Sequence, residues 1–257
     1  MKKLLAISFL SLTGIVLFAQ GPRGGRFGMP GAPIRGIFSR TPVTGAPFSA
    51  GVTYQSQQLL AGGNQITRTD QEKVYRDSQG RTRIERTITP PASSSQQAFT
   101  EITITDPVAG YRYELNSATM TAVQSSLPKA PSTSGTAPTR PARPNAPDVT
   151  TTNLGTQTIN GVLATGTQTT ETIAAGAIGN TQAIQIVRIS WVSSDLKIPV
   201  EIKTSDPRFG STDMEVTNIV RSDPAASLFV VPSGYTIKTG GPGPGMMRRG
   251  RPFGSPQ

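Results

Sequence analysis

Thr150-Thr151-Thr152-Asn153-Leu154-Gly155-Thr156-Gln157-Thr158-Ile159, then Asn160-Gly161, then Val162-Leu163-Ala164-Thr165-Gly166-Thr167-Gln168-Thr169-Thr170-Glu171-Thr172-Ile173, is the run that decides the fold. Threonine, valine and isoleucine branch at Cβ and suit a pleated strand. Asn-Gly favours the tight turn whose twist matches its flanking strands. The run predicts a long two-stranded hairpin. The same grammar extends in both directions, with turn residues every 8–12 positions. Upstream, Val52 and Tyr54 alternate with polar neighbours up to Gly62-Gly63-Asn64. Lys73 to Arg76 meets Asp77-Ser78-Gln79-Gly80, and Arg81 to Ile88 returns. Ile102 and Ile104 share a face, Asp106 to Gly110 turns, and Tyr111, Tyr113 and Leu115 share the next. Downstream, Ala183 to Val192 slips its alternation between Ile184/Ile186 and Val187/Ile189/Trp191, which predicts a bulge. Ile198, Val200 and Ile202 line one face, and Asp206 to Gly210 turns into Met214 to Val220. The single helix start is Asp223-Pro224, with Asp as cap and Pro at the first helical position, good for one or two turns. The expected fold is mainly β: 11–12 strands in a single curved antiparallel sheet or incomplete β-barrel, with few short helices and disordered tails.

The 257 residues hold 22 prolines, of which 5 fall in residues 20–48, 6 in 128–147 and 4 in 239–257. Twelve of the 29 residues in 20–48 are Gly or Pro, leaving too few apolar groups to offset the entropy of ordering. The chain therefore divides into a signal peptide (1–19), a Gly/Pro/Arg-rich disordered segment (20–48), the first half of a β domain (49–127), a Pro-rich disordered insertion (128–147), the second half of the domain (148–238) and a Gly/Pro/Arg-rich tail (239–257). The signal assignment rests on Lys2-Lys3, an apolar run from Leu4 to Phe18, and Ala19 before Gln20. Export to the periplasm or outside the cell follows, with no integral membrane segment after cleavage. With no cysteine there is no lipid-anchoring site.

The net charge of +10 belongs to the tails: residues 49–127 carry 7 basic and 7 acidic groups, and 148–237 carry 5 and 8. Arg23, Arg26, Arg248, Arg249 and Arg251 are the candidate contacts to an anionic envelope surface. They lie in RGG-type segments, but export removes nucleic acid as a partner. Absence of His and Cys removes imidazole bases, thiol nucleophiles, disulfides and the usual zinc, haem and iron–sulfur ligands.

Ser194-Asp195-Leu196-Lys197 and Lys238-Thr239-Gly240 spell two serine β-lactamase signatures, but the quartet bridges two strands and the chemistry needs a helix. The carboxylates sit in Asp-Pro turns or alternate with apolar residues, as solvated faces do. The reading is of a non-enzymatic protein with no catalytic residue, metal or cofactor. Tyr111, Tyr113 and Trp191 are candidate walls of an apolar groove, or core. Arg76, Arg81 and Arg83 are either an anion site at a hairpin tip or partners of Asp77 and Glu85.

Ile189-Ser190-Trp191-Val192-Ser193-Ser194-Asp195-Leu196-Lys197-Ile198-Pro199-Val200 resembles the W-x-S-x-x-L-x-x-P-V strand–turn–strand of the outer-membrane lipoprotein-sorting superfamily, the LolA/LolB and RseB-like fold. Thr217-Asn218-Ile219 and Leu228-Phe229-Val230-Val231-Pro232-Ser233-Gly234-Tyr235 resemble its N-I … L-F-x-x-P-x-G-Y ending. Tyr75 to Arg83 and Thr105-Asp106-Pro107 resemble early hairpins of exported bacterial proteins sharing that ending. The resemblance implies a strongly curved antiparallel sheet whose concave face binds a lipid or lipidated protein. The long helices that cover that face in the family have no counterpart in this sequence. The expected function is an envelope protein holding an apolar ligand; the alternative is a structural or surface-interaction protein with basic flexible arms.

Overall fold

The computed structural model describes residues 37–39, 41–90, 93–128 and 148–240. The signal segment, most of the first Gly/Pro stretch, the insertion beyond Pro128 and the tail beyond Gly240 lie outside the described residues, so the readings made there stay expectations.

Among the described residues twelve strands form one sheet: β1 (Phe48–Leu59), β2 (Gln65–Arg76), β3 (Thr82–Ile88), β4 (Phe99–Asp106), β5 (Tyr111–Asn116), β6 (Thr121–Ser126), β7 (Asp148–Ile159), β8 (Val162–Ile173), β9 (Ile184–Ser193), β10 (Ile198–Asp206), β11 (Gly210–Val220) and β12 (Thr236–Thr239). Their order is β12-β6-β5-β4-β3-β2-β1-β11-β10-β9-β8-β7. Two antiparallel meanders, β1 to β6 and β7 to β11, are thus sewn together by the β1–β11 pair. β12 adds to β6 in parallel. The sheet is mainly antiparallel, curved and not closed into a barrel.

Turn chemistry fixes the registers. Asn160 and Gly161 both take positive φ, 47° and 82°, and set Ile159 opposite Val162. Gly80 takes φ 82° between β2 and β3. Asp206 accepts the Arg208 N–H within the β10–β11 turn.

The curl is legible in hydrogen bonds that bypass strands. Asn160, in the β7–β8 turn, donates from Nδ2 to the Val216 carbonyl of β11 at 2.8 Å. Three strand spacings separate β8 from β11, about 14 Å if the sheet were flat. Arg76 of β2 likewise reaches the Leu196 carbonyl in the β9–β10 turn at 2.5 Å. The face between is concave, and its floor is the larger core: Phe48, Val52, Val74, Ile198, Val200 and Val216 are each at most 1 % exposed, with Val162, Ala164 and Met214 beside them.

The expected bulge exists, one strand away from its predicted place. It falls in β10, between Pro199 and Glu201, opposite Trp191. Its effect is the one inferred: the inward-facing set of β9 changes parity, so Trp191 packs on the core while Ser190 pairs with Ile202, which packs there too.

Two expectations need correction. The boundary at 48/49 cuts through packed structure, because Ile37 and Phe48 are 2 % and 0 % exposed and Phe38 packs against Phe48. A short apolar arm ahead of β1 packs onto the larger core, its Gly/Pro content notwithstanding. The helix after Asp223 is a single 3₁₀ turn, Ala226–Phe229, without a side-chain cap. Asp223 instead accepts the Ser78 N–H in the β2–β3 turn. Among the described residues the sheet also has two cores, on opposite faces. Ile102, Ile104, Leu115 and Ala122 form the second, covered by Val231 and Tyr235 of the segment leading to β12. Ile104 is in register with Arg83, and Arg83 with Tyr75 and Ser49, the opposite parity to Val74 and Val52. The carboxy-terminal segment is therefore a strap across the outer face of β3 to β6.

Candidate functional site

The concave face changes character along the strands. Beyond the floor formed by Val52, Val74 and Val216, the next inward row holds Tyr54, Asp70, Met214 and Ile202, paired directly across β2, β1, β11 and β10. Glu72 and Arg86 face each other across β2 and β3. Arg188 pairs with Thr204 at the same end. Polar side chains thus converge above an apolar floor.

Electrostatics tie this group together. Arg86 lies 3.6 Å from Asp70, a partly exposed pair. Glu72 is 8 % exposed, and its Oε2 is buried with no hydrogen-bond partner among the described residues. Burial pushes its carboxyl above the usual range; Arg86 opposes this and Asp70 adds to it. Burial also raises the Tyr54 phenol, with Glu72 reinforcing and Arg188 opposing. The phenol stays neutral at every physiological pH. This arrangement can donate and accept hydrogen bonds to a polar or charged group entering the concavity. It contains no nucleophile–base pair, and no three acidic or other metal-ligating side chains cluster among the described residues.

The candidate groove residues are not brought together. Tyr111 and Tyr113 sit on β5 with rings 6.4 Å apart, and Tyr113 packs against the second core. Trp191 is on β9, seven strand positions away in the sheet order, and belongs to the opposite core. Its ring covers Gly166, where a Cβ would stand 2.6 Å from the indole. Tyr113 and Trp191 are packing residues, whereas Tyr111 is 38 % exposed and belongs to neither core. Arg23, Arg26, Arg248, Arg249 and Arg251 lie outside the described residues.

The three hairpin-tip arginines are also structural. Arg81 pairs with Asp77 at 2.5 Å, and Arg83 pairs with Glu85 at 2.7 Å while donating to the Leu228 carbonyl of the strap. Arg76 is 2 % exposed and meets no carboxylate among the described residues: it donates to the Ala46 and Leu196 carbonyls, and its guanidinium lies 4.9 Å from the Phe48 ring centre. Ser194 to Lys197 form the β9–β10 turn, with Lys197 N–H donating to the Ser193 carbonyl and the Leu196 side chain buried. A cavity of about 640 Å³ lies at the rim of the other half of the sheet, walled by Gln96, Phe99, Asn116 and Thr119.

Sequence reasoning missed Asp70, Glu72, Arg86 and Arg188. A signal existed for the first two: Asp70 and Glu72 are in phase with Val74, the inward residue of β2. No helix among the described residues is long and apolar enough to cross a membrane, which leaves strands out of account.

No family model matches this sequence, and no curated protein matches it. Solved structures similar to it include an uncharacterized conserved protein from Thermus thermophilus, at 14 % identity and TM-score 0.40, over 76 % of this chain and 90 % of that one. A chain of the Pseudomonas aeruginosa MucA/MucB complex is similar at 11 % identity and TM-score 0.40, over 76 % of this chain and 59 % of that one. A LolA superfamily protein from Nitrosomonas europaea is similar at 13 % identity and TM-score 0.26, over 74 % and 92 %. At such scores the likeness is one of outline and carries nothing about activity. These neighbours include the group whose strand–turn–strand and closing motifs this sequence resembles.

Proposed function

We propose that this chain is a non-enzymatic, exported binding protein that uses the polar half of its concave sheet as an interaction surface. Of the two readings open to the sequence, the packing supports surface interaction over enclosure of an acyl chain. One observation carries this: the apolar part of the concavity is filled by the protein's own side chains. Val52, Val200 and Val216 are each at most 1 % exposed, and Trp191 occupies the space above Gly166. Each such side chain contributes about 1.5–3 kcal/mol by leaving water. An acyl chain would have to displace that packing. What remains partly exposed to a partner is Tyr54, Asp70 and Arg86, beside the buried Glu72.

Export rests on the amino-terminal charged and apolar run, and separates this reading from a cytosolic one. The test is native mass spectrometry of protein purified from its own host, together with Trp191 fluorescence during titration with a long-chain fatty acid. The expected result is the bare polypeptide mass and an unmoved emission maximum. A co-purifying lipid, or a saturable blue shift, would mean that the floor opens and that the protein carries an apolar ligand.

A further inference from the structure

The sheet ends in two unlike edges. β12 has four residues and carries Lys238, so it is short and charged. Those are two of the devices by which natural sheets discourage edge-to-edge pairing. β7 is the opposite. It runs for twelve residues, eleven of them exposed. It holds no proline and no ionisable group after Asp148. One bulge interrupts it, where the register with β8 shifts between Asn153 and Gly155 and Asn153 Oδ1 accepts the Gly155 N–H. Regular stretches remain on both sides. Every second residue turns its N–H and C=O away from β8, and no strand among the described residues meets them. The composition is Thr-rich and of high β propensity.

We propose that β7 is a self-pairing edge: two copies of this chain join β7 to β7, antiparallel about a two-fold axis, and continue the sheet across both molecules. Self-pairing fits better than an unrelated strand for three reasons. A two-fold axis makes the contact antiparallel and matches strands of equal length. Antiparallel pairing places the two Asp148 carboxylates at opposite ends of the contact, so no like charges meet. It also gives cross-strand neighbours to Val149 and Leu154, which are 56 % and 38 % exposed in the single chain, and sets threonine against threonine, a favourable pair.

The absence of cysteine supplies the test. Directly opposed strand residues have Cα atoms about 4.5–5.5 Å apart, within disulfide range. About a two-fold axis midway along Asp148–Ile159, Thr151 of one copy faces Thr156 of the other, so full mature chains carrying Thr151→Cys and Thr156→Cys should form disulfide-linked dimers under mild oxidation when mixed. Either variant alone should not, because each residue meets its own copy only at the axis. Sedimentation velocity of the unmodified chain over about 10–500 µM should show a concentration-dependent dimer, as suits a small interface. The double substitution Thr152→Lys/Thr156→Lys should weaken that dimer at least tenfold and leave circular dichroism unchanged. A monomer throughout the range, no cross-linking in the mixture, or a dimer indifferent to the lysines would overturn the proposal. Protection of β7 amides from exchange in a monomer would also overturn it, assigning the edge to another segment of this chain.

Discussion

Arg76 shows how much one side chain does in this sheet. Its guanidinium joins the arm before β1 through Ala46, the β9–β10 turn through Leu196, and the core through the face of Phe48. Arg76→Met would keep the length but strand two carbonyls, so we expect a loss of about 2–4 kcal/mol, read from urea denaturation. Unchanged stability would mean that water replaces those donors freely. Glu72 acts in the other direction. Its folded-state carboxyl titrates above its unfolded value because it is buried, beside Asp70, and only Arg86 favours its charged form. The native state therefore binds more protons in that window, and stability falls as pH rises from the unfolded carboxylate value through the folded one. Glu72→Gln should flatten that fall, matching the parent at low pH and exceeding it at pH 7 in thermal melts. Equal pH profiles would place Glu72 in water. Neither role was legible beforehand. Arg76 reads as a hairpin-tip residue because its partners are backbone carbonyls 30 and 120 positions away, and nothing in a sequence marks a carbonyl as needing a donor.

At the scale of elements the sequence was far more legible, because a strand needs only alternation and a turn. The Ile198–Val200–Ile202 face was readable from period two alone. Val200 is fully buried, so Val200→Asp should cost more than about 4 kcal/mol and leave little soluble folded protein, as judged by near-ultraviolet circular dichroism. A cooperative melt at the parent temperature would take β10 out of the core. The strap was not legible. Asp223-Pro224 carries local helix-start chemistry, yet long-range packing wins: Phe229 is 2 % exposed, and its ring lies 5.1 Å from the Arg81 guanidinium. Phe229→Ala should cost about 3 kcal/mol by urea denaturation. A negligible cost would show that the strap rests on the sheet without securing it. The site row was only half legible: Asp70 and Glu72 announce themselves by phase with Val74, whereas Arg188 reaches the row because a bulge in the neighbouring strand shifts parity, which sequence placed in β9 itself.

For the molecule as a whole, composition separates a near-neutral folded body from basic flanks. We expect that separation to be functional, with affinity for anionic surfaces residing in Arg23, Arg26, Arg248, Arg249 and Arg251. The folded body offers little in its place, since Arg76, Arg81 and Arg83 are spent on carbonyls and carboxylates within it. Each exposed Arg near an anionic membrane contributes about 1 kcal/mol, so the five across two arms reach useful avidity only together. The structure determines where to cut: removing residues 1–48 would take out Ile37 and Phe48, so the body must be trimmed to 37–240. Co-sedimentation with vesicles rich in anionic lipid should then separate the two forms. The mature chain should bind at low salt and release as ionic strength rises, because exposed charges are screened within about 8 Å at physiological salt. The trimmed chain should fold equally well by circular dichroism and fail to bind at any salt. Equal binding by both would transfer the affinity to the sheet, and its polar concave row with Arg86 and Arg188 would be the first surface to neutralise.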